Sequence, residues 1–219
     1  RNSALFYTIS LISKPLSMLM LPREMLGFNG KILFTIGQAI APGVIDGLPL
    51  SRKKQAKLLS DHLQRIGAGK TPLFATQMQL IEKCDRRAIQ AELDQAEILG
   101  QTADNKTIFL LDNRYKSVVL EEIGRLRERT FRFVGEGTGQ CKDLDEFDQY
   151  YCHLILWDDC ESEIVGAYRL GEIWKWSHNE GRLLYSATLF DYTEDAAELF
   201  AAGLELGRSF VQPEYWGKR

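Results

Sequence analysis

The stretch Tyr151-Cys-His-Leu-Ile-Leu-Trp157, the acidic break Asp158-Asp-Cys-Glu161 and the run Glu163-Ile-Val-Gly-Ala-Tyr-Arg-Leu170 decide the fold. Both runs are rich in the aliphatic and aromatic residues that suit a pleated surface, so they predict two strands joined by a hairpin turn. Upstream, the pattern predicts a strand at Thr107–Leu111, a long helix at about 115–134 and then an acidic, Gly-bearing loop. Downstream it predicts elements at 183–190 and 204–211 with a helix near 194–202. Strands and helices interleave throughout, which places the chain in the α/β class in its mixed α+β form.

Further out the elements are less regular. A helix is predicted at about 85–99, with Ile89, Leu93, Ala96 and Leu99 inward and Gly100 ending it. Another is predicted at 52–66, with Ser51 as N-cap, Ala56, Leu59, Leu63 and Ile66 inward and Lys53, Lys54 and Lys57 outward. Lys31-Ile-Leu-Phe-Thr-Ile36 reads as a strand. From Ser3 to Met20 only Lys14 carries charge, which suits a buried helix pair or a surface lying against lipid. Lys14-Pro15 interrupts that stretch, and a spanning helix needs roughly 18 uninterrupted apolar residues.

Composition narrows the function classes. With 219 residues, 45% of them hydrophobic and 26% charged, the chain has material for a real core, which excludes disorder, collagen-like repeats and small disulfide scaffolds. Cys84, Cys141, Cys152 and Cys160 form no C-x-x-C pair, so reduced thiols on the cytoplasmic side are expected. His62, His153 and His178 share no ligand spacing, and no metal is expected. Lys and Arg outnumber Asp and Glu by 13 to 9 in residues 1–104, while the acids lead 21 to 14 in 105–219. The front half therefore suits an anionic surface, and the back half repels nucleic acid. The first residue is Arg1 and no secretory signal follows, so the chain reads as an excerpt of a longer polypeptide.

Charged residues in the back half recur beside the predicted element ends: Arg127 with Phe131 four residues on, Asp145 with Asp148 three on, Arg169, and Glu205 with Arg208 three on. The i, i+4 spacing puts Arg127 and Phe131 on one helix face. A lone histidine such as His153 invites a catalytic reading, but its strand would aim it at the core or a neighbouring loop. The run Asp143, Asp145, Glu146 and Asp148 also reads as a solvent-facing loop.

Taken in order, Arg127-Glu-Arg-Thr-Phe131, Asp145-Glu-Phe-Asp148, Val165-Gly-Ala-Tyr-Arg-Leu170, Leu184-Tyr-Ser-Ala-Thr-Leu-Phe-Asp191 and Leu204-Glu-Leu-Gly-Arg-Ser209 resemble the acyl-homoserine-lactone synthases. They resemble the ornithine-lipid N-acyltransferases more closely, and both families have the GNAT fold. The resemblance covers about 105–219. It implies transfer of a fatty acyl group from acyl carrier protein, as a phosphopantetheine thioester, or from acyl-CoA, to the α-amine of an amino acid, ornithine first. An attacking amine must lose a proton, so Glu205 is the first choice of general base. Asp145 and Asp148 would attract a cationic acceptor and hold Arg127 or Arg169; in the structural reading, Arg169 and Arg208 simply bridge those carboxylates. Val211, Trp216, Gly217, Lys218 and Arg219 resemble the start of the GNAT phosphate-binding loop, and no permanently bound cofactor is implied. On this reading the domain is incomplete and inactive by itself.

Arg1-Asn-Ser-Ala-Leu-Phe-Tyr7, Leu21-Pro-Arg-Glu-Met25 and Ile36-Gly-Gln-Ala-Ile40 resemble, more weakly, the tail of a PlsC-type glycerolipid acyltransferase domain. The expected layout is thus an incomplete PlsC-like part at 1–70, a helical linker at 71–104 and an incomplete GNAT-like mixed-sheet domain at 105–219, truncated at the phosphate loop. That arrangement resembles the bifunctional ornithine-lipid synthases, some of which carry a hemolysin label, and it implies a cytoplasmic protein peripheral to the inner membrane. The alternatives are an autoinducer-type synthase and a membrane-binding or lytic module without transferase chemistry.

Overall fold

The computed structural model describes residues 4–22, 36–41, 43–112, 117–173, 184–193 and 203–217. Of the strand expected at 31–36 only Ile36 is described, and it lies in no strand; residues 31–35, the helix expected near 194–202, and Lys218 and Arg219 lie outside the described residues. The chain divides into two compact units, Arg1–Gly37 and Gln38–Arg219.

The first unit contains α1 (Ala4–Ile12) and α2 (Lys14–Met18), with Pro15 in the first turn of α2, where a missing N–H costs nothing. Leu11, Ile12, Leu16, Met18 and Leu19 are exposed. Of the two readings of this stretch, the buried helix pair is the one the helices do not form.

The second unit opens with β1 (Ala39–Ile40), α3 (Arg52–Gly67) and β2 (Thr76–Gln77), with β1 and β2 antiparallel. Ser51 is the N-cap residue of α3 but makes no side-chain capping bond. The inward face of α3 also differs from the expected one. His62 is buried, accepting from Leu73 N and Phe74 N at 3.2 Å each, whereas Ala56 and Leu63 are exposed. The buried face is thus rotated toward His62, whose ring nitrogen satisfies two backbone N–H groups, with Leu59 and Ile66 half-buried beside it.

There follow α4 (Arg86–Leu93), β3 (Glu97–Gln101), β4 (Thr107–Leu111), α5 (Val118–Val134), β5 (Cys152–Asp158), β6 (Glu163–Glu172) and β7 (Leu204–Val211). The helix expected at 85–99 therefore stops at Leu93, and Glu97–Gln101 pairs antiparallel with β4 across an irregularity between Ile98 and Gly100. Leu99 is exposed, not inward. Gly100 sits at φ 157°, a conformation rare for L side chains, so it marks the bulge instead of ending a helix. The element expected at 183–190 is a 3₁₀ turn, Tyr185–Thr188.

Strands β3 to β7 form one antiparallel sheet in chain order, β3-β4-β5-β6-β7. Helix α5 lies over it. Ile123 and Leu126 of α5, Ile89 and Leu93 of α4, Phe109, Leu111, Ile155, Trp157, Ile164, Ala167 and Phe210 make one buried cluster. Helix α5 is bounded as its sequence dictates: Ser117 Oγ accepts from Leu120 N at 2.9 Å, and Gly135 at φ 83° closes the other end, where a side chain would be strained. Glu92 of α4 places its carboxylate on Val118 N at 2.7 Å, an anion at the positive end of the helix dipole.

Candidate active site

The core face of the sheet changes character along its length. Register pairs Ile155 with Ala167, then His153 with Arg169, and on the next strand pair Gly171 with Glu205. An apolar interior thus gives way, within two residue pairs, to a charged end. Gly171 is required there, because a Cβ on it would lie 2.4 Å from Cε1 of the Tyr151 ring.

Opposite that end, the loop after α5 is tied to the helix. Glu128, fully buried, accepts from Thr138 N at 2.9 Å, Thr138 Oγ1 at 2.6 Å, Gly139 N at 2.8 Å and Arg132 Nε at 2.7 Å. Burial alone would raise its pKa, but these donors hold it below the usual range. Leu144 packs where a Cβ on Gly124 would stand, and Asp143 N donates to Gly124 O at 2.9 Å. The loop then enters the 3₁₀ turn Glu146–Gln149 through a reciprocal capping box. Asp145 Oδ1 accepts from Phe147 N at 2.9 Å and Asp148 Oδ2 from Asp145 N at 2.8 Å.

This architecture brings the charged residues singled out in the sequence together. Arg127 makes a bidentate pair with Asp148, Nη1 to Oδ1 at 3.1 Å and Nη2 to Oδ2 at 2.7 Å. It also donates to Asp143 O, and its Nε stands 3.2 Å from Asp143 Oδ2 without hydrogen-bond alignment. His153 Nε2 reaches Asp148 Oδ1 at 3.2 Å. Arg169 Nη1 donates to Asp145 Oδ1 at 2.5 Å and lies 3.4 Å from Asp148 Oδ2. Arg208, at φ 47° in the irregular part of β7, holds Asp143 Oδ2 at 3.3 Å. Arg169 therefore bridges Asp145 and Asp148, whereas Arg208 holds Asp143 and not the two carboxylates it was expected to bridge. Asp143 and Asp148 are 3% and 2% exposed, which corrects the solvent-facing reading for these two, while Glu146 is exposed and Asp145 half-buried.

Protonation follows from this packing. Burial opposes charge on Asp148, yet the hydrogen bonds of His153 and Arg127 and the charges of Arg127 and Arg169 pull its carboxyl well below the usual range. Burial pushes His153 down, so it sits neutral beside that carboxylate. Burial likewise raises Asp143 beyond what Arg127 and Arg208 offset.

Glu205 is held differently, without a cationic partner among the described residues. Its carboxylate accepts from the Tyr151 hydroxyl, from Tyr185 N at 3.1 Å and from Ser186 N at 2.7 Å, and it remains half-buried. Burial and this bond raise the Tyr151 phenol, so it stays protonated. The guanidinium of Arg169 lies over the rings of Phe147, Tyr151 and Tyr185, 5.2–5.6 Å from their centroids. Sequence reading gave Tyr151, Tyr185 and Phe147 no role in the site; the signals were the aromatic density of Glu146-Phe-Asp-Gln-Tyr-Tyr151 and the place of Phe147 and Tyr185 within the matched segments 145–148 and 184–191. Phe131 is half-buried one turn beyond Arg127. After β7 the 3₁₀ turn Pro213–Tyr215 leads to Trp216, whose Nε1 donates to Val211 O at 2.7 Å and whose ring meets Phe133 edge-on at 5.3 Å. Gly217 follows at φ 69°. Among the described residues no His, Cys, Asp or Glu cluster is arranged to hold a metal, and no helix is long and apolar enough to cross a membrane.

An antiparallel sheet with one long helix over its core face and a turn leaving the β7 end is a mixed α/β arrangement consistent with a GNAT-like fold, and residues 126–219 match the acetyltransferase (GNAT) domain family. The chain is also similar to the glycine N(alpha)-acyltransferases of Bacteroides thetaiotaomicron and Phocaeicola vulgatus. Each is 34% identical over 148 residues, covering 64% of this chain and 44% or 45% of the relative. The L-ornithine N(alpha)-acyltransferase of Agrobacterium fabrum is 36% identical over 100 residues, covering 43% of this chain and 33% of that protein. The chain thus spans less than half the length of these relatives. No solved structure matches it.

Proposed function

We propose that this chain carries the acceptor side and the start of the donor side of an N-acyltransferase. The reaction moves a fatty acyl group from a phosphopantetheine thioester, on acyl carrier protein or coenzyme A, to the α-amine of an amino acid. The observation that carries the reading is Glu205: a half-open carboxylate, fixed by one phenol and two backbone N–H groups, at the end of a sheet backed by buried charge. In the reaction the acceptor ammonium gives up a proton to Glu205, the free amine attacks the thioester carbonyl, the C–S bond breaks, and the thiol leaves with a proton. Asp145, Asp148, Arg127 and Arg169 form the rigid wall against which the acceptor is oriented, with Phe131 and Arg208 beside it. Val211, Trp216 and Gly217, with Lys218 and Arg219 by the family resemblance, begin the donor site.

Ornithine and glycine are the two acceptors that the relatives' names support. The exposed apolar side chains of α1 and α2 suit attachment to a lipid surface, as does a fatty acyl product. Lipid mass spectrometry of an aminolipid-free bacterium expressing the full-length protein, beside its Glu205→Gln variant, tests the proposal. New N-acyl amino acids that fall at least about 100-fold in the variant support it; unchanged lipids in both strains would sink it.

A further inference from the structure

The segment leaving β7 is braced by residues that the proposed chemistry does not use. Gln212 is 4% exposed, and its backbone N–H donates to Val165 O at 2.9 Å. Its side-chain amide is committed at both ends: Nε2 donates to Ile164 O, and Oε1 accepts from Arg129 Nη1 at 3.1 Å. Only an amide of this length serves both neighbours, because a carboxylate would face the Ile164 carbonyl and an apolar isostere would leave that carbonyl without its donor. Arg129, on α5, continues past Gln212 to Glu214, donating from Nη1 at 3.2 Å and also from Nη2. It therefore clasps two residues on either side of Pro213. Beyond them Tyr215 donates to Glu163 at 3.0 Å, and Trp216 lies against Phe133. The turn Pro213–Tyr215 is tied to α5 on one side and to β6 on the other.

We infer that Gln212 and Arg129 are positioning residues for the acyl donor. They set the direction in which the backbone leaves β7 toward the donor's phosphopantetheine arm and do not touch the reacting atoms. The inference rests on the proposed function only in taking the segment after β7 as the donor loop.

The test uses the full-length protein with S-hexadecyl coenzyme A, a non-reacting thioether, and acyl carrier protein bearing the same thioether arm. Gln212→Leu and Arg129→Gln should each weaken donor binding about five- to tenfold, the cost of one lost hydrogen bond, with Arg129→Lys recovering part of it. The KM for the amino acid should not move, and the melting temperature should hold within a few degrees. Weakening with both probes assigns the effect to the arm, and weakening with one alone assigns it to that carrier. Unchanged donor affinity, or equal shifts in the donor and amino-acid constants, would make the clasp purely structural and overturn the inference, as would wild-type protein that binds neither thioether. Because Arg129 lies partly in solvent, its variant keeps the test decisive if Gln212→Leu does not fold. Wild-type protein that binds the thioether yet acylates no amino acid would sink the proposed function and leave this inference standing.

Discussion

Asp148 is the residue on which the buried charges balance. It meets Arg127, Arg169 and His153 at once while capping its own turn, so Asp148→Asn leaves two buried guanidiniums short of a counter-charge. Breaking a buried pair on one side costs about 3–5 kcal/mol, so a thermal melt of this variant should fall by about 10 °C. Acid should act at the same place. His153 titrates lower in the folded protein than its ordinary value near 6.5, so below that pH the unfolded chain takes up a proton the folded one refuses. Stability then falls with decreasing pH, by up to about 1.4 kcal/mol per pH unit, until the folded-state value is passed. Asp148, also held low, adds a second loss below its ordinary value near 3.8. Melts between pH 8 and 5 should show the first loss, and His153→Gln should flatten it. The residue types of this network were legible because arginines and aspartates at fixed spacings stood out in order. The pairing of Asp145 and Asp148 with Arg127 and Arg169 was read with them, but the places of Asp143 and His153 were not, since sequence spacing does not say that they fold inward onto the same charges.

The elements were read best where the pattern was long and bounded by a cap. Helix α5 fits its expected span because Ser117 and Gly135 mark its ends, whereas Glu97–Gln101, composed of helix-compatible residues, became a strand because β4 offered it a pairing edge. Glycines in β6 carry a meaning that composition could not convey. A Cβ on Gly171 would meet the Tyr151 ring at 2.4 Å, and one on Gly166 would meet the backbone oxygen of Phe210 at 2.4 Å. Gly171→Ala should therefore cost about 1–3 kcal/mol in denaturant unfolding, as overpacking does, and should lower acyl transfer by displacing the phenol from Glu205. Gly166→Ala should cost more, because the strand backbone it strikes cannot turn aside as a ring can. Equal stability for both variants would refute this account of the β6–β7 contact.

At the scale of the whole chain, the hydrophobic cluster among the described residues has every buried member between Ile89 and Phe210. Consecutive antiparallel strands built that core; the β5–β6 pairing was legible because a short turn joins them, whereas β3 read as helix and the pairing of β4 with β5 across α5 left no signal in the sequence. The front was less legible, since its apolar composition fitted both burial and lipid contact, and the exposed side chains of α1 and α2 set aside the buried pair without showing what those side chains meet. Arg1–Gly37 forms its own compact unit, and its described residues supply none of the core cluster. A protein lacking them should unfold in one cooperative transition within about 3 °C of the intact chain, since 1 kcal/mol corresponds to about 2–4 °C at this size. Calorimetry of both forms checks this. If instead the shortened protein lost its transition, stability would have to reside in contacts outside the cluster, and the division at Gly37 would mark a change in contact density without separating two folding units.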